Sequence, residues 1–496
     1  MPAGAAVLAA SLHGVEPVQV IVEVSVSGGL PGLDVVGMPD SAVLEARSRV
    51  RCAMRSSGFE LPREHVTINL QPSEIKKSGT SLDLAMAVAI LIATKQIDPR
   101  IVEDRLFVGE LGLDGSVCPV RGEVAYASLA ERLGLGLVMS EESSLIAPMA
   151  DNAVGMRFLS QLKGGVDGLS HIREAKSPSS GEGRHHADFA DIVDQDLAKR
   201  AMTIAAAGKH GVLMVGPPGS GKTMLARCLP TILPPLTPEE ASEAMIIHSV
   251  AGQPIERIAS GERPFRAPHH SISTAGLVGG GRPVLPGEVS LAHEGVLFLD
   301  EIPEFGRSTL QALRQPLEDR EVRITRVDGT YSFPCHFQLV AASNPCPCGY
   351  LGDPSHECSC TPAQIHAYQT RIGGPLMDRI DLYVDVPRPE TSKVIGGCAG
   401  ESSDLLREMV VGAIEFGKWR EERSGVPSGR QRPPAAELDP RARSAFESLA
   451  RGLSLGGRAI VRVTRVARTI ADLAEHEKIT EEDVIEALGY RPRTKG

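Results

Sequence analysis

The octapeptide Gly216-Pro217-Pro218-Gly219-Ser220-Gly221-Lys222-Thr223 constrains this chain more than any other segment. It satisfies G-x-x-x-x-G-K-[ST] at every fixed position. Gly211-Val212-Leu213-Met214-Val215 before it reads as a short buried strand, and Met224-Leu225-Ala226-Arg227 after it opens a helix. Strand, glycine loop and helix is the context in which such a loop cradles phosphate. Glycines let the backbone curl until its N–H groups converge, and the helix N-terminus adds the positive end of its dipole. Lys222 is the candidate contact to the β- and γ-phosphates of ATP, and the Thr223 hydroxyl a candidate ligand of Mg2+.

Downstream, Gly295-Val296-Leu297-Phe298-Leu299-Asp300-Glu301 reads as a core strand of a parallel sheet, apolar on both faces. Its C-terminal end is where open α/β sheets bind ligands. Asp300 is placed to orient Mg2+, and Glu301 to polarise an attacking water as general base. Alone, an acidic pair after an apolar run is a weak signal. Following a phosphate loop, it is strong. The fold class expected is α/β.

At roughly 150 residues per domain, 496 residues suggest about three domains. Two stretches rich in Gly, Pro and Ser mark linkers: Lys176 to Arg184, and Ser424 to Pro440. The expected organisation is an N-terminal domain over 1–175, a linker over 176–190, a nucleotide-binding core over 191–390 and a helical C-terminal domain over 391–496. No apolar run approaches the ~18 residues of a membrane span. The N-terminus lacks the basic start of a secretory signal, so a cytoplasmic protein is expected. The net charge of −10 means that the surface as a whole repels nucleic acid, and any such binding must be local.

Phe337 to Ser343 is another apolar run, and it ends in Asn344. Next to the Asp300 strand, Asn344 would lie near the γ-phosphate, the sensor-1 position of AAA+ ATPases. Arg379, in Gly374-Pro375-Leu376-Met377-Asp378-Arg379-Ile380, resembles an arginine finger, which acts on a neighbouring subunit's ATP. Arg458, in Gly457-Arg458-Ala459-Ile460, resembles the sensor-2 arginine of the magnesium-chelatase and replicative-helicase branch and is the best candidate of its helix to touch ATP. Several phrases carry a closer resemblance: Arg263-Pro264-Phe265-Arg266-Ala267-Pro268-His269-His270, Pro286-Gly287-Glu288-Val289-Ser290-Leu291-Ala292-His293, Leu313-Arg314-Gln315-Pro316-Leu317-Glu318 and Asn344-Pro345-Cys346-Pro347-Cys348-Gly349. From about Leu12 to Pro492 the chain resembles the magnesium-chelatase-like ATPases of the ComM/YifB type. That resemblance implies a P-loop AAA+ core, a C-terminal helical lid and a homo-hexameric ATP-driven motor. It also implies DNA, single-stranded or branched, as partner, with branch migration in recombination or natural transformation as the role. Two rivals stay open: a magnesium-chelatase ATPase subunit, and a regulatory or chaperone-like ATPase acting on protein.

The resemblance extends to the N-terminal domain. Lys77-Ser78-Gly79-Thr80-Ser81-Leu82-Asp83 resembles the loop that carries the Lon-protease nucleophile, with Ser81 at that place. The activating lysine is replaced by Val124, and no lysine lies between Gln96 and Ser160. A serine needs a base to attack. A degenerate Lon-protease-like α+β domain without protease activity is therefore expected, used for assembly or DNA contact. Its elements read as strands over Val18–Val26 and Val66–Leu70 and a helix over Leu82–Thr94.

Residues 252–290 are rich in Gly, Pro and His and read as an insertion that faces a central pore in this branch. Glu321 to Val327 and Thr330 to Phe333 alternate about Asp328-Gly329, a hairpin signal. Arg323 and Arg326 are either a phosphate grip or part of a solvated edge. His269 and His270 read as structural rather than pore residues. Arg458, Arg462, Arg465 and Arg468 recur at steps of 4, 3 and 3, the first three within about 60° of one another, beside a separate apolar stripe; apart from Arg458 they read as a solvated face in preference to a DNA contact.

Cys346, Cys348, Cys358 and Cys360 form C-x-C-x9-C-x-C, two close pairs that suit a tetrahedral Zn2+. A redox pair or metal-free thiols are the alternatives, and His356 is a possible replacement ligand. Cys52, Cys118, Cys228, Cys335 and Cys398 are scattered and expected to be inert.

Overall fold

The computed structural model describes residues 3–143, 145, 151–165, 169–172, 187–327, 329–396, 400–423 and 434–491. Most of the first expected linker, the first part of the second, Asp328 and Cys398 lie outside these residues.

The N-terminal region is built on an eight-stranded mixed sheet. Its centre is the long antiparallel pair Ala3–His13 and Glu16–Ser27, with His65–Gln71 and then Gly32–Val36 on one side, and Arg105–Phe107, Gly136–Ser140, Ala153–Met156 and Ser170–His171 on the other. His65–Gln71 alternates half-buried and buried residues, the period-2 pattern of a strand with one covered face. That cover includes the Asp83–Ala93 helix, which is apolar on nearly every side and buried accordingly. Asp83 is the exception on this helix. It is buried, and Arg49 grips its carboxylate at 2.6 and 3.0 Å. Burial pushes the Asp83 carboxyl up, and the Arg49 hydrogen bonds oppose that.

The core is a five-stranded sheet in the order Phe265–Arg266, Val296–Leu299, Gln338–Ser343, Val212–Val215, Leu382–Asp385. Every neighbouring pair in it is parallel. Helices cover both faces, which explains why its strands read as continuous apolar runs. Phe265–Arg266 corrects one expectation: part of 252–290 is the sheet's edge strand, so the insertion is shorter than the composition suggests. Beyond that strand, Gly279–Gly280 pairs with Leu285–Pro286 in a small hairpin. It lies against the Glu321–Arg326/Gly329–Pro334 hairpin, whose Ile324 faces Gly279.

Four C-terminal helices, Ser403–Arg423, Pro440–Gly452, Gly457–Leu473 and Glu481–Gly489, pack on the Asp196–Gly208 and Lys222–Ile232 helices around one shared apolar cluster. Thr480 caps the last of them as its sequence signals, accepting from the Asp483 N–H. Among the described residues, no helix is long and apolar enough to cross a membrane.

Two contacts dock the N-terminal region on the core. Val124, where a catalytic lysine would stand, is buried with Leu236, Ala241, Ala244, Met245 and Ile258 of the core. The turn after the first strand places Val15 in the apolar cluster of the core, with Gly14 packed against Phe333. Beside it, His13 stacks on Tyr331 at 4.4 Å and bonds the Thr330 carbonyl at 3.1 Å. The apolar residue at 124 therefore has a packing role. Val124→Asp should bury an unpaired carboxylate in this seam and destabilise the chain by about 3 kcal/mol. Thermal unfolding with protease susceptibility at the seam measures this.

Candidate nucleotide site

The phosphate loop leaves the Val212–Val215 strand at Gly216, whose N–H bonds the Ser343 carbonyl at 3.2 Å. A Cβ on Gly216 would collide with the Val386 carbonyl, so only glycine fits where the loop turns between strands. Gly219 and Gly221 take φ of +77° and +91°, which curl the loop and deliver it to the N-terminus of the Lys222–Ile232 helix. Gln195, buried, braces the loop from behind by donating to the Pro387 and Ser220 carbonyls. Sequence reasoning missed it, because a lone glutamine before a helix carries no signal.

Lys222 folds into the loop. Its Nζ donates to the Gly216 and Pro217 carbonyls at 2.8 and 2.9 Å and stands 3.5 Å from Asn344 Oδ1. Burial pushes its pKa down, and the charges of Asp300 and Glu301 oppose that. The Thr223 hydroxyl donates to Asp300 Oδ2 at 2.8 Å, and Asp300 Oδ1 accepts the Glu301 N–H at 3.0 Å. Five residues expected to act together, Lys222, Thr223, Asp300, Glu301 and Asn344, are thus gathered at the C-terminal edge of the sheet. Glu301 has φ +50°, a left-handed conformation that aims it away from its strand.

His269 is a satisfied structural residue, as expected, its Nδ1 bonded to the Ser271 hydroxyl at 2.8 Å. His270 departs from expectation: its Nδ1 lies 3.8 Å from Glu301 Oε2, and the two imidazoles lie 4.0 Å apart. A two-residue edge strand delivers them there, too short to read from the sequence.

Arg379 and Arg458 lie elsewhere. The Arg379 carbonyl abuts Gly211, at the N-terminal end of the strand whose C-terminal end is the phosphate loop. Four residues of strand put roughly 13 Å between the two ends. Arg458 lies 3.6 Å from Asp378, next to Arg379, with its side chain 89% exposed. It therefore does not touch the nucleotide site of its own chain, a correction to the sequence reading. Both arginines line a cleft of about 1180 Å3. The rest of the arginine face is engaged in contacts, although Arg465 remains half exposed. Arg462 donates to the Met377 and Ile380 carbonyls, Arg465 pairs with Asp381 at 3.6 Å, and Arg468 is buried against Asp472 at 3.0 Å. Arg462 and Arg465 fasten their helix to the core, and Arg468 ties elements of the C-terminal region to one another through Asp472, Glu437 and the His476 and Glu477 carbonyls.

The cysteine pairs fold over the loop. The four Sγ atoms lie within 4.8 Å of one another, with Cys346–Cys348 at 3.4 Å, Cys346–Cys358 at 3.7 Å and Cys348–Cys358 at 3.6 Å. All four are free thiols. A tetrahedral Zn2+ with ~2.3 Å bonds needs sulfurs about 3.8 Å apart, so the donor set fits. His356 is engaged elsewhere, stacked on Tyr350 at 4.8 Å, and is not part of the set. Gly349, φ +85°, packs against Pro218 of the phosphate loop, and Arg388 bridges Asp353 to the Pro218 carbonyl at 3.5 Å each. Cys228 and Cys335 are buried, which pushes each thiol up to about 12, consistent with inert residues.

In the N-terminal region Ser81 is buried and donates to the Ala10 carbonyl at 2.9 Å. Lys77, buried in the same loop, donates to the Pro72 carbonyl. Arg323 and Arg326 are exposed on the hairpin, but an odd spacing puts them on opposite faces of the ribbon.

Comparison with known proteins follows this architecture. Residues 188–394 match the model of magnesium chelatase subunit ChlI, residues 22–143 a second model of subunit ChlI of Mg-chelatase, and residues 400–491 the ChlI C-terminal model. Competence protein ComM of Haemophilus influenzae is 39% identical over 490 residues, covering 96% of this chain and 95% of that protein. YifB of Salmonella typhimurium, itself uncharacterized, is 38% identical over 483 residues, covering 96% and 95%. Rv2897c of Mycobacterium tuberculosis, also uncharacterized, is 40% identical over 501 residues, covering 97% of each. The chain belongs to the magnesium-chelatase-like family of the ComM/YifB type. The magnesium-chelatase 67 kDa subunit of Chlorobaculum parvum, at 29% identity, shares only 161 residues, 32% of this chain.

Within this family site, Gly216→Ala should abolish nucleotide binding while leaving the fold assembled, since the collision is confined to the loop. Fluorescent-nucleotide titration beside a thermal melt checks both halves.

Proposed function

We propose that this chain hydrolyses ATP in a homo-hexameric ring and uses the cycle to move or remodel DNA, as a ComM-like branch-migration motor in recombination or natural transformation. The observation that carries the reading is the division of its catalytic set between two ends of one sheet. Lys222, Thr223, Asp300, Glu301 and Asn344 face one nucleotide at the C-terminal ends of the strands. Arg379 and Arg458 stand at the N-terminal end of the sheet, beyond reach of it. Such a set closes only when a second copy turns its arginines toward the first copy's loop, and repetition of that head-to-tail contact closes a ring.

Bound MgATP supplies the phosphoanhydride and the cation that holds its oxygens. Lys222 exchanges its two backbone carbonyls for phosphate oxygens, and the loop N–H groups complete the cradle. Thr223 and Asp300, already hydrogen-bonded, are the residues that would hold the cation. Glu301 accepts the proton of the attacking water, and Asn344 orients the reacting end. Arg379 and Arg458 of a neighbouring copy stabilise the charge that develops on the transferred group.

DNA is the polymer favoured by the full-length likeness to ComM and by Arg323 and Arg326, exposed on a hairpin of a chain that otherwise carries net negative charge. Within one chain Arg323 pairs with Glu321 at 2.7 Å, so a backbone phosphate in the ring's channel would compete with that carboxylate for it. A chelatase subunit is less well supported, since that likeness spans only a third of the chain.

Steady-state hydrolysis measured with and without single-stranded and branched DNA tests the reading. Glu301→Gln should bind ATP and turn over at least about a hundredfold more slowly, whereas Lys222→Ala should lose nucleotide binding. Arg323→Glu with Arg326→Glu should remove DNA binding and leave hydrolysis without DNA intact. Wild-type affinity for DNA in that double variant rejects the hairpin as the grip.

The knuckle belongs to the same reading. Cys346, Cys348, Cys358 and Cys360 hold one Zn2+ and stiffen the segment between Asn344 and Arg379. Protein prepared without chelator should contain about one zinc per chain, and Cys358→Ser should lower both metal content and melting temperature. Metal analysis that finds no zinc rejects this assignment.

A further inference from the structure

Arg379 is held in place before any neighbour arrives. Its Nη2 lies 2.6 Å from Glu318 Oε1, and the same oxygen lies 3.5 Å from Arg314 Nε. The Arg379 hydrogen bond first, and Arg314 after it, keep the Glu318 carboxyl below its ordinary range, so it is ionised at neutral pH. The three groups line one cleft together with Arg458 and Asp378. None is sequestered: Arg379 is 42% exposed, Glu318 38% and Arg314 65%.

Half-exposed ion pairs are weakly held, because water screens them and two long side chains must be ordered. A terminal phosphate offers an arginine more: two parallel charge-assisted bonds to a group of higher charge. Glu318 is thus strong enough to park Arg379 and too weak to keep it once phosphate is within reach. Arg314 weakens the hold further, because it draws on the same oxygen.

We propose that Glu318 is a positioning residue that restrains Arg379 from a neighbouring subunit's nucleotide, and that Arg314 sets the restraint by competing for the Glu318 carboxylate. This rests on the reading that Arg379 acts across the subunit interface. In the resting state the arginine lies against its own chain, and each turnover includes its transfer from carboxylate to phosphate. The restraint appears in kcat rather than KM, since the neighbour's Lys222 and glycine loop carry ground-state binding.

The test is steady-state ATP hydrolysis by the full chain, at concentrations where light scattering shows assembled rings. Glu318→Gln should raise kcat about twofold to fivefold with KM unchanged, the range expected from losing a weak ion pair. Glu318→Asp, which keeps the charge, should stay near wild type. Arg314→Gln should do the opposite and lower kcat by a similar factor, because Glu318 then holds Arg379 alone. In an Arg379→Ala background, Glu318→Gln should change nothing. A merely structural role for Glu318 does not give opposite signs for these two variants. A kcat at or below wild type in assembled Glu318→Gln rings overturns the restraint. If that variant does not assemble, Arg314→Gln decides, and a kcat that is not lowered overturns it. Arg379→Ala rings that hydrolyse ATP like wild type would instead overturn the reading of action across the interface.

Discussion

The hydrogen bond from Thr223 to Asp300 is the constraint on which the nucleotide site depends. It spans two strands that are not neighbours. Between Val212–Val215 and Val296–Leu299 runs Gln338–Ser343, buried at every position. The bond therefore passes over the end of the intervening strand, where Asn344 emerges beside Lys222. Parallel pairing fixes the strand ends at one edge, and short apolar strands leave them little freedom to slide. Three distant segments of sequence meet there because the sheet aligns them, and the loop chemistry follows from that alignment.

Legibility in the sequence tracks how local the determining physics is. The phosphate loop could be read because its requirements, two left-handed glycines and one glycine beneath a carbonyl, are met within eight residues. The strand ending in Asp300 and the hairpin at Glu321–Pro334 could be read because burial and alternation leave periodic traces. The two N-terminal strands expected from the sequence, observed as Glu16–Ser27 and His65–Gln71, and the Asp83–Ala93 helix fall within a residue or two of their expected limits for the same reason. What was not legible depends on the far end of a contact. Phe265–Arg266 is a strand only because Val296 lies beside it. His270 reaches Glu301 because that edge strand ends where it does. Arg462, Arg465 and Arg468 recur on one helix face in a pattern that looks solvated, and partners from several elements turn that face into a seam.

In the N-terminal region, packing and local hydrogen bonds occupy Val124 and Ser81. Val124 occupies a place where the resemblance implies a lysine, and its apolar side chain joins the cluster that binds the region to the core. Ser81, its hydroxyl given to the Ala10 carbonyl, has a satisfied and buried environment instead of a reactive one. At the other contact, His13 stacks on Tyr331, and Val15 joins the same apolar cluster as Phe333. The region is therefore anchored directly to the hairpin that carries Arg323 and Arg326. Any displacement of that hairpin is resisted by an aromatic stack and a buried valine.

The same sheet that gathers Lys222, Thr223, Asp300, Glu301 and Asn344 keeps Arg379 and Arg458 away from them. The four-residue strand Val212–Val215, beside the edge strand Leu382–Asp385, separates Arg379 from the phosphate loop by less than the thickness of a domain, yet that distance exceeds the reach of an arginine side chain. No rotamer change in a single chain closes it. Hydrolysis that uses both ends must then be a property of adjacent copies, and the half-exposed state of Arg379 is what such a division requires. A buried arginine would be tied to its own fold, as Arg468 is. A fully solvated one would lose more order on meeting phosphate. Paired with Glu318 at 2.6 Å and 42% exposed, Arg379 lies between these extremes.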